Sequence, residues 1–260
     1  PVEVGTFPAT SAVAKVLGAQ PLEAEKSKNY SAGLVFHRGP FELTVDAYQI
    51  DIDNRIVLSE NIQGSATGSA TAVAIYNLLA PFNVTAARFF LNGVDTTTKG
   101  VDVVARYRID DEQAGRFDLT AAANFNKTDV TKLPTTNTIS SLPVPPSLFA
   151  RANVLTFEEG TPKRKITLAG DWSREAWGAT LKTTFYGSVL SPNNDPTGAF
   201  DVRTGAKAVV DLEGRYAINE RVNLAIGANN LFDEYPNRTP ANINTTNATA
   251  FTGFSPFGFN

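Results

Sequence analysis

The chain has 260 residues, a formal net charge of −3, no cysteine and one histidine, His37. The slightly acidic balance offers no basic surface for nucleic acid, so no nucleic-acid partner is expected. The missing cysteines exclude disulfides, thiolate zinc sites and cysteine nucleophiles, and a single histidine excludes a multi-histidine metal centre. No run approaches about 20 consecutive apolar residues, so no transmembrane helix is expected either.

Apolar and polar residues alternate along eight segments of the chain. From Gly115, for example, Phe117, Leu119 and Ala121 fall on one face, whereas Asp118 and Thr120 fall on the other. Side chains of a β-strand point to alternate faces, so this period of two predicts strands with one apolar and one polar side. The eight predicted strands are 29–36, 41–52, 101–109, 115–130, 165–173, 177–188, 207–216 and 221–230.

Short and long connections alternate between these strands. Short joints are expected around 38–40, 110–114, 174–176 and 217–220, and each has the length of a tight hairpin turn. Long connections separate them, at about 60–86, 130–162 and 190–201. Short turns at one end and long loops at the other are typical of outer-membrane β-barrels. We therefore predict an all-β fold, an antiparallel up-and-down transmembrane β-barrel segment.

The long connections read as polar, irregular loops. Gly64–Ala72 is a flexible low-complexity segment, Thr131–Pro146 is rich in Thr, Ser and Pro, and Ala72–Phe82 is expected to form a short helix that stops at Pro81. Ligand capture would belong to these loops, where aromatic rings can stack on a bound molecule or anchor their own loop. The weak candidates for ligand contact are Tyr76, Phe82, Phe89, Phe90, Phe149 and Phe157.

Charges of both signs occupy the polar faces of the predicted strands. We expect them to form cross-strand charge pairs along the wall of a barrel, with solvated charges on a polar sheet face as the simpler alternative. Aromatic residues cluster near the short turns, as in the aromatic girdle of a membrane barrel. The charged residues are Glu42, Asp46, Asp102, Arg106, Arg116, Asp118, Lys165, Asp171, Lys182, Lys207, Asp211, Glu213 and Arg215.

Two sequence blocks are more specific than the alternation. Asn229–Pro236 reads NNLFDEYP, and Asp95–Val103 reads DTTTKGVDV, with a Gly followed by an apolar-acidic pair. Together with the segments 17–34 and 41–59, they resemble the C-terminal β-barrel of TonB-dependent receptors. The resemblance runs from about Leu17 to Asn260.

The resemblance implies a barrel of roughly 22 strands with a plug in its lumen, of which this chain supplies about eight strands. Residues 1–260 are thus expected to be a partial receptor barrel, an excerpt from a longer precursor, without the plug domain, the earlier strands and the closing strand, which should begin near Ser255–Asn260. The implied function is energy-dependent uptake of a scarce ligand, such as a ferric siderophore, cobalamin, haem or a carbohydrate, across the outer membrane of a Gram-negative bacterium. The implied partners are outer-membrane lipid, the small-molecule ligand, and the TonB complex acting through the plug.

Two other functions remain open at this point. A passive porin-like channel would share the strand pattern, and a soluble all-β carbohydrate-binding or adhesion protein would pack its apolar faces into a core. An enzyme is not expected, because no GxSxG motif, phosphate loop or metal-ligand cluster occurs. No catalytic residue, metal site or cofactor is therefore assigned. Asp51–Asn54 lacks the spacing of a calcium loop, and His37 is expected at the surface beside a turn.

Overall fold

A computed structural model describes residues 4–238 of the protein, and the expected start of the closing strand, Ser255–Asn260, lies outside these residues. The strands are β1 Gly5–Phe7, β2 Lys26–Arg38, β3 Phe41–Leu58, β4 Ile62–Gln63, β5 Ala86–Asp111, β6 Gly115–Lys132, β7 Arg164–Arg174, β8 Trp177–Tyr186, β9 Val189–Ser191, β10 Val202–Thr204, β11 Lys207–Asn219 and β12 Val222–Ala228. The helices are α1 Ala12–Val16, α2 Ala70–Leu79, α3 Asn137–Ser140 and α4 Arg151–Glu159, and a 3-10 turn, Ala80–Phe82, follows α2.

The eight predicted strands are all present and lie side by side in one sheet. Its order is β12-β11-β8-β7-β6-β5-β3-β2, and β1 and β4 add to the beginning of β5. The strands β6, β7, β8, β11 and β12 pair in antiparallel registers throughout, so consecutive long strands lie next to each other as an up-and-down meander. The predicted antiparallel β fold is confirmed.

All four short turns occur where the alternation places them. Side chains stabilise two of them: Asp111 accepts hydrogen bonds from the backbone N–H groups of Gln113 and Ala114, at 2.8 and 2.6 Å. At the turn between β11 and β12, Asn219 accepts in the same way from Arg221 and Val222. Asp and Asn favour turns because their short side chains can satisfy backbone donors locally.

The chain divides into two compact units, and residues 30–49, 99–127 and 159 onward form one of them, which we call the wall unit. Large apolar side chains on one face of its strands remain exposed. Leu119, Leu168, Leu181 and Leu212, from four adjacent strands, are 42–51% exposed. We call this the apolar face and the opposite side the polar face. Within residues 4–238, no helix has the length and apolar character needed to cross a membrane.

Aromatic rings gather near the short turns of the wall unit. Trp177 and Tyr216 face each other across β8 and β11 with ring centroids 4.5 Å apart, and Phe36 and Phe41 flank the first turn at 6.2 Å. The indole N–H of Trp172 donates to a turn carbonyl, that of Ala114, at 2.7 Å. This placement matches the expected girdle of amphipathic rings.

The other unit comprises 4–29, 50–98 and 128–158, and we call it the loop unit. The long connections keep irregular backbone at 64–69 and 141–150, but their segments also pack around a buried apolar core, which was not expected. Its most buried large side chains are Leu17, Ile62, Leu79, Phe89, Ile139 and Leu148. Ser69 caps the start of α2 by accepting from the N–H of Ala72, and the helix passes into a 3-10 turn at Pro81, close to the predicted stop. The exposed side chain of His37 agrees with its expected surface position.

Candidate functional site

Ion pairs connect the strands on the polar face of the wall unit. Asp118 on β6 accepts from Arg108 on β5 at 2.9 Å and from Arg116 on its own strand at 2.6 Å. These side chains are 37–53% exposed, so water screens the pairs and each adds little to stability. The pairs restrict where the two arginine side chains lie on the polar face.

A second set of pairs joins β7, β8 and β11. Arg215 donates to Asp171 at 2.5 Å, two strands away, and passes over Gly178 on the strand between them. Asp171 also accepts from Thr180 at 2.5 Å. Gly178 has no side chain to obstruct the guanidinium, which lies close to the position a Cβ would occupy. The expected cross-strand charge pairs are thus present, and one of them spans three strands.

One directly opposed pair completes this set. Lys182 on β8 and Asp211 on β11 are register partners, and their charged atoms are 2.8 Å apart. Asp211 accepts in addition from the backbone N–H of Asn230 at 2.9 Å.

The block that reads KGVDV in the sequence builds a polar contact across β3, β5 and β6. The ring of Tyr48 lies directly over Gly100, where any side chain would collide with it. The Tyr48 hydroxyl accepts from the amide of Asn124 at 3.3 Å, and the same amide donates to Asp102 at 2.5 Å. Val101, between the glycine and the acid, points to the apolar face and is 37% exposed. In this Gly-apolar-acid pattern, Gly100 and Asp102 therefore contribute to the polar contact, and Val101 contributes to the apolar face of the same strand.

The remaining predicted charges are placed less regularly. Lys165 lies over the ring of Tyr186 at 5.3 Å, and Lys207 pairs with Glu234 at 3.0 Å. Asp46 covers Gly33 on β2. Neither Glu42 nor Arg106 forms an ion pair with another residue in 4–238. Arg108 lies two residues after Arg106 on β5 and so shares its face, and its ion pair with Asp118 depends on which residues the neighbouring strands β5 and β6 bring together.

The NNLFDEYP block folds into a turn after β12. Asn230 adopts a left-handed backbone with φ of 52°, and its side chain accepts from the N–H of Glu234 at 2.9 Å and donates to the carbonyl of the same residue at 3.0 Å. Leu231 donates to the carbonyl of Val210 on β11 at 2.7 Å. Asn is among the few residues that tolerate this backbone while bonding locally, which explains its place in the motif.

The aromatic ligand candidates of the loop unit differ in accessibility. Phe89 is fully buried and Phe149 is 4% exposed, and their neighbours Phe82 and Phe157 pack against the same core. The rings of Phe149 and Phe157 are 5.7 Å apart, and the guanidinium of Arg55 lies 4.6 Å above Phe157.

The other two candidates reach the surface of the loop unit. Tyr76 is half-buried on α2, and Phe90 is 42% exposed. Phe90 lines an apolar pocket with Phe7, Pro8, Ala9 and Leu22, flanked by two threonines. Ligand contact by any of the six aromatics stays a prediction, but the geometry favours Phe90 over the buried rings.

The acidic segment 51–54 is occupied by contacts within the loop unit. Asp51 accepts from the hydroxyl of Thr97 at 2.7 Å, and Asp53 pairs with Lys28 at 3.4 Å. Across the described residues, no three His, Asp or Glu side chains are grouped to hold a metal ion.

The hairpin β9–β10 is tied to the end of α4 by one charged contact. Arg203 on β10 donates to Glu159 at 2.6 Å, and this hydrogen bond holds the pKa of the Glu159 carboxyl below its usual value. Val189, Leu190 and Val202 of the hairpin are buried. The third long connection is therefore the loop of a short hairpin, with irregular backbone at 192–201 between its two strands.

Comparison with known proteins agrees with this architecture. A family model described as TonB dependent receptor-like, beta-barrel, matches residues 4–231. No curated protein sequence matches the chain.

Several solved structures share the fold at low sequence identity. The FrpB iron transporter of Neisseria meningitidis is 14% identical with a TM-score of 0.55, and the match covers 84% of this chain and 29% of that one. A mutant of the ferric enterobactin receptor PfeA of Pseudomonas aeruginosa is 15% identical with a TM-score of 0.54, over 82% and 26% of the two chains. FpvA of P. aeruginosa, bound to heterologous pyoverdines, is 15% identical with a TM-score of 0.52, over 84% and 24%. The chain thus spans about a quarter of these proteins.

Proposed function

Because the chain belongs to the TonB-dependent receptor-like β-barrel family, we propose that it forms part of the wall and the loops of a receptor that imports a scarce ligand across the outer membrane. The observation that carries this proposal is the division of the wall unit into an exposed apolar face and an ion-paired polar face. In a membrane barrel, the apolar face contacts lipid and the polar face lines the lumen. Members of the family are receptors and transporters rather than enzymes.

The same division argues against a soluble β-sandwich. Leucines of four adjacent strands lie exposed on one face of the wall unit, whereas soluble proteins rarely expose apolar patches of this extent. The hydrogen bonds of adjacent strands satisfy the backbone internally, as a segment in hydrocarbon requires. Lipid is therefore the contact proposed for this face.

The ligand proposed is a ferric siderophore. Support comes from the solved structures of similar fold, which include an iron transporter, a ferric enterobactin receptor and a pyoverdine-bound receptor. Phe90 is the proposed contact, since it is the aromatic candidate exposed in an apolar pocket of the loop unit. Coupling to the TonB complex would run through a plug domain of the receptor.

The experiment that tests the proposal is uptake of radiolabelled iron by cells of the source bacterium. Cells lacking the gene should lose uptake of at least one ferric siderophore, and the whole gene should restore it. A protonophore should abolish the restored uptake, because energy-dependent import stops when the proton gradient collapses. Uptake that persists with the protonophore would indicate a passive channel, and an unchanged rate in the deletion strain for every siderophore tried would refute the proposed ligand class.

A further inference from the structure

The apolar pocket beside Phe90, which we call the Phe90 pocket, has a cation next to it. Arg88 and Phe90 lie two residues apart on β5, so both point away from the side of the strand on which Phe89 is buried. On β1, Thr6 is the register partner of Arg88, and its hydroxyl accepts a hydrogen bond from the Arg88 Nε at 2.7 Å. Thr6 also lines the pocket. The hydrogen bond therefore holds the guanidinium beside the pocket.

The positive charge of Arg88 is not neutralised within the described part of the chain. Arg88 forms no ion pair with any residue in 4–238, and the hydrogen bond that holds it goes to an uncharged hydroxyl. Since that bond uses only the Nε–H group, the two terminal nitrogens keep their N–H donors for an acceptor. Anionic oxygen atoms are the acceptors that a guanidinium binds most strongly. Arg88 is thus complementary to an anionic group of a ligand that occupies the pocket.

The pocket itself is apolar and its lining is uncharged. Phe7 and Phe90 contribute aromatic rings, and Pro8, Ala9 and Leu22 contribute aliphatic surface. Its volume of about 460 Å³ is within the range of small-molecule sites, so it can admit a ring. The part of a ligand that enters must therefore be apolar, and the two aromatic rings favour a planar aromatic group.

These two properties distinguish the groups with which siderophores chelate iron. Catecholates and other phenolates are aromatic rings with ionised oxygen atoms, and their ferric tris complexes carry a net negative charge. Hydroxamates are commonly built on aliphatic chains, and their ferric tris complexes are neutral. Hydroxycarboxylates are anionic but have no ring. An apolar pocket with an arginine beside it is complementary to the first class.

We propose that Arg88 determines which class of ferric siderophore binds: an aryl group of an anionic catecholate or phenolate complex enters the Phe90 pocket, and the guanidinium of Arg88 binds the ionised oxygen atoms. Thr6 positions Arg88 for this contact. The inference deepens the proposed function and rests on it, because it takes a ferric siderophore as the ligand of the Phe90 pocket.

The test measures the affinity of three iron complexes for the whole protein, purified in detergent, by equilibrium filtration of radiolabelled iron. The probes are ferric enterobactin, an anionic catecholate; ferrichrome, a neutral hydroxamate; and ferric citrate, which is anionic without a ring. The variants are Arg88→Gln, Arg88→Lys and Phe90→Ala. Arg221→Gln, at the short turn between β11 and β12, is the matched control that removes one positive charge elsewhere.

The parent protein should bind ferric enterobactin more tightly than ferrichrome or ferric citrate. Arg88→Gln should weaken ferric enterobactin binding by about tenfold or more, because a charge-assisted hydrogen bond is lost, and should change ferrichrome binding by less than about twofold. Arg88→Lys should recover part of the loss, since it keeps the charge. Phe90→Ala should weaken ferric enterobactin binding by about threefold to tenfold and leave ferric citrate binding unchanged. Arg221→Gln should bind all three complexes as the parent does.

Four results would overturn the inference. They are no binding of ferric enterobactin to the parent protein, ferrichrome binding as tight as that of ferric enterobactin, an unchanged affinity for ferric enterobactin in Arg88→Gln, and equal losses for ferric enterobactin and ferrichrome in that variant. The last would assign Arg88 to the stability of the loop unit rather than to ligand choice.

Iron uptake by cells separates this inference from the proposed function. A deletion strain that loses uptake of a hydroxamate complex alone would leave the proposed function standing and refute the role of Arg88. A purified protein that binds ferric enterobactin through Arg88, but whose deletion changes the uptake of no siderophore, would refute only the transport proposal.

Discussion

Tyr48 and Gly100 provide a sharp test of how the wall unit is held together. In Gly100→Ala the new methyl group would fall well inside van der Waals contact with the Tyr48 ring, so the ring must move. Overpacking of this kind costs about 1–3 kcal/mol, and displacing the ring also weakens its 3.3 Å hydrogen bond with Asn124. We therefore expect Gly100→Ala to lower the free energy of unfolding by about 2 kcal/mol.

The sign should reverse when the ring is absent. In a Tyr48→Ala background, Gly100→Ala has no ring to meet, and alanine is favoured over glycine within a strand by about 0.5–1 kcal/mol. The second substitution should then be neutral or stabilising. Gly214→Ala on β11 is the matched control, because nothing lies within 4 Å of the position its methyl group would take.

The assay is guanidinium unfolding of the purified whole protein in detergent, followed by tryptophan fluorescence, to which Trp172 and Trp177 of the wall unit contribute. The comparison is a double-mutant cycle, and it requires four proteins: the parent, the two single variants and the double variant. Equal costs of Gly100→Ala with and without Tyr48 would refute the reasoning, since the contact would then carry no coupling energy. A cost for Gly214→Ala as large as that for Gly100→Ala would indicate a general intolerance of strand substitution.

Three further predictions concern the other elements. Phe89→Ala should lower the free energy of unfolding by about 3–5 kcal/mol, because this ring is fully buried. Phe90→Ala should lower it by less than about 1 kcal/mol and should weaken ferric siderophore binding. A larger loss of stability for Phe90→Ala than for Phe89→Ala in denaturant unfolding would contradict the assigned burial. Because Arg203 lowers the pKa of Glu159 in the folded protein, this pair stabilises the β9–β10 hairpin above the ordinary Glu value of 4.5, and the stabilisation is lost as the pH falls through the depressed folded-state pKa. Hydrogen-exchange protection of the hairpin, corrected for the intrinsic exchange rate, should fall accordingly at acid pH, and Glu159→Gln should remove that dependence; a variant that keeps it would show that another group titrates. Asn230→Ala should cost about 1–3 kcal/mol in the same unfolding assay because it removes two hydrogen bonds and a residue suited to positive φ, with Asn230→Gly recovering part of the loss.

The alternation of apolar and polar residues in the sequence was sufficient to predict the strands of the sheet. It predicted eight strands and four short turns, and all of them occur, because alternation and turn chemistry are local properties of the chain. It failed at the start of β5, which begins at Ala86 rather than near Val101. Residues 86–96 are mostly buried whichever way they point, so no polar side marks the strand.

The ion-pair partners on neighbouring strands could be identified only from the tertiary structure. That Asp118 and Arg215 would carry charge on the polar face followed from their parity. That Asp118 meets Arg108, and that Arg215 crosses Gly178 to reach Asp171, follows from the register between strands, which no single segment encodes.

The loop unit was the largest departure from the expectation. Its core joins Leu17, Ile75, Phe89 and Phe149, residues separated by up to about 130 positions. The short apolar stretches that contain these residues form a buried cluster only when the strands bring the segments together. The sequence by itself determined the strands, their two faces and the turns, since these depend on near neighbours. Tertiary structure alone decided the ion-pair partners and the core of the loop unit, since these depend on contacts between distant segments.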